Sequence, residues 1–111
     1  MTDTALLVLT NCPDAAVAER IALTLVEQGL AACVNQLAPA QSVYRWNGAV
    51  ERATEIPLLI KTTAERYPQL EQALRALHPY SVPEIIAVSI VRGLPAYLRW
   101  LDDETRPPLL A

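Results

Sequence analysis

The dipeptide Asn47-Gly48 constrains the fold of this chain most strongly, because it separates two segments rich in strand-forming residues. Gln41–Trp46 precedes it and Val50–Thr62 follows it. Asn-Gly is the strongest short-range signal of a type I′ hairpin turn, which requires positive φ at both central positions. A second strand of this length should project beyond the sheet of a small domain. Its exposed edge needs a partner strand, and another subunit is the natural source.

The rest of the chain alternates between strand and helix patterns. A continuous apolar run predicts a strand over residues 5–10, and Asn11–Asp14 is predicted to form a turn. Apolar residues recur at i and i+4 over residues 14–28, which predicts a helix that stops at Gly29. The other predicted elements are a strand over 31–37, a helix over 64–78, a strand over 84–91, a short helix over 94–103 and an irregular tail over 104–111.

Two prolines lie inside predicted elements. Pro57 cannot donate a ladder hydrogen bond, so it predicts an edge position or a bulge in the long strand. Pro68 predicts an irregular first turn in the second helix. The element order β-α-β-β-α-β-α predicts an α+β fold, a ferredoxin-like sandwich with an extended β-hairpin and a C-terminal helix. The 111 residues fit a single domain over 1–111, with an ordered core over about 5–103.

The composition narrows the class of protein. Hydrophobic residues make up 52% of the chain and charged residues 19%, an apolar excess that we assign to a subunit interface. The net charge is −3 and Lys and Arg are spaced singly, which argues against nucleic-acid binding. The apolar run Ala5–Leu9 is too short to span a membrane and has no basic segment before it. We therefore expect a soluble cytoplasmic protein.

The two cysteines, Cys12 and Cys33, are too few for a disulfide framework. No CxxC, CxxH or HxxxH spacing occurs, which argues against a structural zinc site. Pairing of the two within one subunit stays open, although a reducing compartment favours free thiols. Cys12 precedes a predicted helix, whose dipole can lower the pKa of a thiol. The alternative, which we favour, is an incidental turn residue.

The segment His78–Glu84 holds the single histidine of the chain. Its prolines should end the second helix at His78 and stiffen the connection that follows. An imidazole, the phenol of Tyr80 and the carboxylate of Glu84 are thus held on an ordered link, as in a functional site. The alternative is that the prolines stop the helix and Tyr80 packs over the core. On this segment alone the structural interpretation is the better one.

Large rings and a lysine mark further candidate positions. Alternation places Tyr44 and Trp46 on one face of the hairpin strand, and Trp100 lies in the last helix. These rings either pack at an interface or form the walls of a cleft between subunits. Lys61, beside two threonines at a strand end, either binds an anion or is simply solvated.

Three glutamates complete the set of candidates. Glu51, Glu55 and Glu84 either pair with Lys61 or bind a cation. The chain has no Ser–His–Asp order, no glycine-rich loop and one histidine, so we expect no enzymatic activity.

Five local patterns occur in register over about residues 5–103 and resemble the CutA family of divalent-cation tolerance proteins. They are Gly29–Asn35, Ser42–Gly48, Ile60–Thr63, His78–Tyr80 with Pro83–Ile86, and Tyr97–Trp100. The resemblance implies a ferredoxin-like subunit and a tight homotrimer whose hairpins pair across subunits, similar to PII-type signalling proteins. It also implies a link to copper and other divalent metals.

The resemblance makes Cys33 and His78 the metal candidates, since Cys33 matches the family's Ala-Ala-Cys pattern. A thiolate suits Cu(I) and an imidazole suits Cu(II) or zinc. Without the resemblance, Cys33 is interpreted as a small buried hydrophobe, and we expect His78 to be the more accessible of the two. The predicted inter-subunit cleft contains Tyr44, Trp46, Glu51, Glu55, Lys61, Tyr80, Glu84 and Trp100. The leading hypothesis is a metal-responsive trimer; the alternatives are a PII-like sensor of a small molecule or anion in this cleft, and an enzyme using His78, Tyr80 and Glu84.

Overall fold

The computed structural model describes residues 4–107 and contains five strands and three helices in that range. In chain order they are β1 (Ala5–Cys12), α1 (Ala15–Glu27), β2 (Cys33–Gln36), β3 (Ala40–Trp46), β4 (Ala49–Thr63), α2 (Tyr67–Leu77), β5 (Ile86–Ser89) and α3 (Pro95–Glu104). None of the helices in this range is long and apolar enough to cross a membrane. The tail predicted over 104–111 lies partly outside the described residues.

The sheet has the strand order β2-β4-β1-β5, with every neighbouring pair antiparallel. The last part of β4 lies between β1 and β2, whereas its first part pairs with β3 alone and forms the hairpin. The predicted ferredoxin-like fold with an extended hairpin is confirmed. The predicted turn is confirmed as well, since Asn47 and Gly48 have φ values of 51° and 80°.

Pro57 lies in the interior of β4, and the predicted bulge occurs on the side of β4 that faces β2 and β3, where residues 37–39 lie opposite only residues 56 and 57. The register with β1 continues without a skip, and Asn11 lies opposite Pro57. The Pro57 carbonyl accepts a hydrogen bond from the Leu37 amide at 3.0 Å. Leu37 belongs to the link between β2 and β3. The proline therefore occupies the place where β4 changes partner strand, and its missing N–H removes no bond from either ladder.

One face of the sheet is covered by α1 and α2. Alternate residues of β1 and β4, such as Val8 and Ile60, are fully buried against Ile21 and Leu25 of α1 and Leu74 of α2. The Asp14 carboxylate accepts a 2.9 Å hydrogen bond from the Val17 amide and caps α1. Gly29 has a φ of 68° and ends that helix, as predicted.

The other face of the sheet keeps apolar side chains in contact with solvent. Ile86 and Val88 of β5 are 52% and 51% exposed. They lie opposite Leu9 and Leu7 in the register, and these leucines are only partly buried. We call this side of the sheet the open face; its apolar residues are Leu7, Leu9, Leu59, Ile86 and Val88. An apolar surface of this kind is typical of a subunit interface.

Several boundaries differ from the predictions. β1 continues through Cys12, because its residues 11 and 12 still pair with β4, so the turn predicted over Asn11–Asp14 is too long. The second helix begins at Tyr67 instead of residue 64, which places Pro68 in the first turn, where its missing N–H costs nothing. β5 is shorter than the predicted 84–91 because it pairs only with residues 6–9 of β1.

Candidate functional site

A cleft of about 530 Å³ lies between the hairpin and the segment that follows α2. Of the predicted cleft residues, five line it: Tyr44, Trp46, Glu55, Tyr80 and Glu84. The remaining lining residues are Asn11, Ser42, Val43, Ser81 and Val82. A single subunit therefore brings together residues from β1, the hairpin and the connection after α2, before any partner is added.

His78 ends α2 as predicted, but it is buried and both of its ring nitrogens are engaged. Its Nε2 lies 2.7 Å from the Asn11 carbonyl oxygen, and its Nδ1 accepts a 3.2 Å hydrogen bond from the Tyr80 amide. Because a carbonyl can only accept and an amide N–H can only donate, Nε2 carries the proton. The side chain is 6% exposed, so the expectation that His78 is the more accessible metal candidate is wrong.

Tyr80 connects His78 to the cleft. Its ring lies 4.7 Å from the imidazole, and its hydroxyl donates a 3.0 Å hydrogen bond to Glu55 Oε2. Burial, followed by this bond and the negative charge of Glu55, raises the pKa of Tyr80 to about 12. The Glu55 side chain is 8% exposed. Asn11 donates a 3.3 Å hydrogen bond to Glu84 Oε1, which ties the second cleft carboxylate to β1.

Cys33 and Lys61 form a separate group on the open face. Lys61 Nζ lies 2.6 Å from Asn35 Oδ1 and 3.7 Å from Cys33 Sγ, and the thiol is only half-buried. Cys33 and Lys61 are directly opposite in the register of β2 and β4. Glu55 lies six residues away from Lys61 on the same face of β4, a separation of about 20 Å along a strand. Lys61 is therefore not a member of the cleft within one subunit.

Two other predicted cleft residues lie outside it. Glu51 faces the same side of the hairpin as Tyr44, its register partner, but it does not line the cavity. Trp100 lies on α3, with its ring 5.4 Å from that of Tyr97. Within residues 4–107, no group of three or more His, Cys, Asp and Glu side chains is close enough to hold a metal ion. A metal site built from one subunit alone would thus have few protein ligands.

Cys12 faces the core between β1 and the helices, and it is fully buried. Burial, assisted by the negative charges of Asp14 and Glu55, raises the pKa of its thiol to about 11. The favoured interpretation of Cys12 as a turn residue is wrong, because β1 extends through Cys12 and places its thiol in the core, and the alternative, a pKa lowered by a helix dipole, does not hold either. Both cysteines of the chain are free.

The sequence-based prediction missed five lining residues, the polar Asn11, Ser42 and Ser81 and the apolar Val43 and Val82. Asn11 was assigned to a turn, although its alternation with the buried Thr10 and Cys12 puts it on the opposite face of a longer β1. Ser42 lies two residues before Tyr44, so strand periodicity would have placed it on the same face. Ser81 offered no signal beyond its place between Tyr80 and Glu84.

The family model described as "CutA1 divalent ion tolerance protein" matches residues 6–104. The divalent-cation tolerance protein CutA of Thermus thermophilus is 48% identical over 98 residues, which are 88% of this chain and 95% of that protein. A Xenopus laevis protein CutA homolog is 45% identical over 93 residues, 84% of this chain and 62% of that longer protein.

Solved structures agree with these similarities. The CutA1 structure from Shewanella sp. SIB1 has 41% sequence identity and a TM-score of 0.91, and the match covers 96% of this chain and 100% of that one. A structure named periplasmic divalent cation tolerance protein CutA, from Archaeoglobus fulgidus, has 37% identity and a TM-score of 0.89 over 92% of this chain and 99% of that one. Sequence and fold together show that this chain belongs to the CutA1 divalent ion tolerance protein family.

Proposed function

We propose that this protein works as a homotrimer that binds copper or another divalent metal ion and takes part in the response to metal ions. The observation that carries the copper assignment is the half-buried thiol of Cys33 on the open face. A thiolate is a soft ligand that suits Cu(I). The Lys61 ammonium lies 3.7 Å from Sγ.

The open face supports the trimer. Ile86 and Val88 leave about half of their surface in solvent, and large side chains of the hairpin such as Val50 are exposed as well. A second or third copy of the chain would bury them. Because each chain offers a single soft donor at Cys33, a closed copper site with several thiolates requires donors from more than one subunit.

A non-enzymatic role and a cytoplasmic location complete the proposal. The His78 imidazole is bonded to backbone groups of Asn11 and Tyr80, which suits a structural role better than proton transfer. Two free cysteines fit a reducing compartment. One structural relative is named periplasmic, so cell fractionation followed by detection of the native protein is the appropriate test. Recovery in the periplasmic fraction would contradict the cytoplasmic location.

The copper assignment is tested by titrating Cu(I) into the reduced native protein and three variants. Cys33→Ala should weaken binding by about tenfold or more, because the soft donor is lost. His78→Ala should bind copper as the parent does, since neither ring nitrogen is available for a metal. Cys12→Ala is the matched control, because its thiol is sealed in the core. Parent-like binding by Cys33→Ala would contradict the assignment.

The same titration has a pH dependence. A thiol must lose its proton to bind a metal, so copper affinity should fall as the solution is made more acidic. Affinity that is unchanged between neutral and acidic solution would exclude a thiolate ligand.

The second candidate function is sensing of a small molecule in the cleft. A volume of about 530 Å³ is within the usual range for small-molecule sites, and this observation favours it. The anion version of the hypothesis relied on Lys61 with Thr62 and Thr63. Neither threonine lines the cleft, both are buried, and Lys61 lies about 20 Å along the strand from Glu55.

A further inference from the structure

The charged groups that line the cleft are all negative. Glu55 and Glu84 contribute carboxylates, and none of the described lining residues is a lysine, an arginine or a histidine. The arginines of the hairpin, Arg45 and Arg52, lie on the face of the ladder opposite to Tyr44 and Glu55, as the register shows. The cleft therefore has the electrostatic character of a cation site.

The two carboxylates have no positive partner in the described part of the chain. Glu55 accepts a hydrogen bond from the neutral phenol of Tyr80, and Glu84 accepts one from the neutral amide of Asn11. The ion pairs described within residues 4–107 lie elsewhere, in α3 and the residues that follow it. Glu55 belongs to the buried residues of the chain. A buried carboxylate without a counter-charge is costly, and a cationic ligand would remove that cost.

The cleft also has aromatic walls. Tyr44 and Trp46 are 43% and 48% exposed, and both line the cavity. Exposed ring faces attract a cation through the negative face of the π-system, and they also cover an apolar ligand body. One buried carboxylate, Glu55, one exposed carboxylate, Glu84, and exposed aromatic rings are features that recognise an amine attached to an apolar group.

The size of the cleft favours an organic cation over a bare metal ion. A hard divalent ion needs about six oxygen ligands at short range, whereas the described residues hold no group of three or more acidic, His or Cys side chains. A cavity of about 530 Å³ would leave most of its volume empty around a single ion. The same volume is typical of sites for small molecules.

We propose that this cleft binds a small organic cation, with a primary ammonium group between Glu55 and Glu84 and an apolar body against Tyr44 and Trp46. The inference rests on the second candidate function, small-molecule binding in the cleft, and it is independent of copper binding at Cys33. The earlier hypothesis expected a small molecule or an anion in the cleft, whereas this proposal assigns a positively charged ligand.

The test uses the full chain in its native assembly and three matched probe sets. Butylamine and phenethylamine are the cations, butanol and 2-phenylethanol are their neutral analogues, and butyrate and phenylacetate are the anions. The indole N–H signals of Trp46 and Trp100 are followed by NMR, so that each molecule carries an internal control. The amines should shift the Trp46 signal and leave Trp100 unchanged, and they should bind about tenfold or more tightly than the neutral analogues.

The variant Glu55→Gln with Glu84→Gln should lose that advantage of about tenfold, because each glutamine keeps an acceptor but removes a charge. Glu51→Gln is the matched control, since Glu51 shares the face but does not line the cleft. Circular dichroism and native mass confirm that each variant is folded and assembled. The proposal is overturned if neither amine binds, if neutral or anionic probes bind as tightly, or if the double variant still binds the amines as the parent does.

Three further outcomes of these titrations distinguish this proposal from the proposed functions. Anion binding at the cleft would leave small-molecule sensing standing and overturn only the ligand class. Binding of Mg²⁺ or Cu²⁺ that shifts Trp46 and disappears in the double glutamine variant would replace the organic cation by a metal. Copper binding that depends on Cys33 alone, with no probe of any charge shifting Trp46, would support the metal function and overturn this inference.

Discussion

His78 links the connection after α2 to β1 through hydrogen bonds at both of its ring nitrogens. Nε2 donates to the carbonyl of Asn11 at the end of β1, and Nδ1 accepts from the amide of Tyr80. Tyr80 in turn donates to Glu55 of β4. The imidazole therefore positions the cleft residue Tyr80, and through it Glu55, but does not itself line the cavity. A buried neutral histidine can thus matter for a site that it does not touch.

Replacement of His78 by Ala should lower the free energy of unfolding by about 2–3 kcal/mol, because it leaves a buried carbonyl unpaired and opens a cavity. Chemical denaturation measures the effect. Arg75→Ala is the control, since Arg75 is an exposed residue of the same helix, and it should change stability by about 0.5 kcal/mol or less. Equal stabilities of the two variants would contradict the positioning role.

Stability should also decrease in alkaline solution because of Cys12. Its thiol ionises with an ordinary pKa of 9.0 in the unfolded chain, whereas burial raises this pKa to about 11 in the folded protein. The folded state thus holds the proton more tightly, so its stabilisation is complete below pH 9 and is lost as pH rises through about 11. Cys12→Ala should show a shallower decrease in unfolding free energy over this range than Cys33→Ala. Identical slopes would contradict the raised pKa.

Some of these residue positions could be predicted from the sequence, and some of their contacts could not. Pro79 marks the end of the helix before it, so the position of His78 was predictable. Its hydrogen-bond partner, Asn11, is 67 residues away and is set by the sheet register. A local pattern carries no information on such a contact. Lys61 is a different case, since its six-residue spacing from Glu55 along one predicted strand already separates the two within a subunit.

At the scale of elements, the hairpin and β4 organise the molecule. β4 has 15 residues and pairs with β3, β2 and β1 in turn, so one strand carries both the hairpin and the centre of the sheet. Local signals predicted this well: the turn residues and the apolar runs were sufficient to find every strand. They also marked Pro57 correctly, because the ladder on one side of β4 skips a residue there, where the neighbouring strand changes from β2 to β3.

The turn is the element best suited to a test by mutation. Gly48 has a φ of 80°, and no atom lies within 4 Å of an added Cβ, so Gly48→Ala adds conformational strain without a clash. We expect a loss of about 1–2 kcal/mol in unfolding free energy. Asn47→Gly is the control and should be near neutral, since glycine tolerates the same φ. Thermal unfolding of both variants would decide, and an unchanged midpoint for Gly48→Ala would contradict the type I′ turn.

At the scale of the whole molecule, α1 and α2 cover one face of the sheet and do not cover the open face. Its apolar residues and the half-buried Cys33 lie on that same face, so assembly and copper binding are expected to use one surface. The cleft lies farther along β4, toward the hairpin. The family and the fold were predictable from five short patterns. The exposure of the Cys33 side chain could not be predicted, because it depends on how much of the open face is covered.

A charge on the open face should break the assembly. Ile86→Asp places a carboxylate where the proposed trimer buries an isoleucine, so the variant should run as a smaller species at micromolar concentration. Leu23→Asp is the matched control, because Leu23 is 59% exposed on α1, on the covered side of the sheet. Sedimentation of both variants is the measurement. A trimeric Ile86→Asp protein would exclude this face as the interface.

The proposed copper-binding trimer is best tested by the native mass of the protein, recorded with and without Cu(I) under reducing conditions. We expect a species of three times the 12.2 kDa chain, with bound copper that disappears in Cys33→Ala while the trimer mass remains. A monomer in the parent protein, or a Cys33→Ala trimer that still carries the same copper, would contradict the proposal.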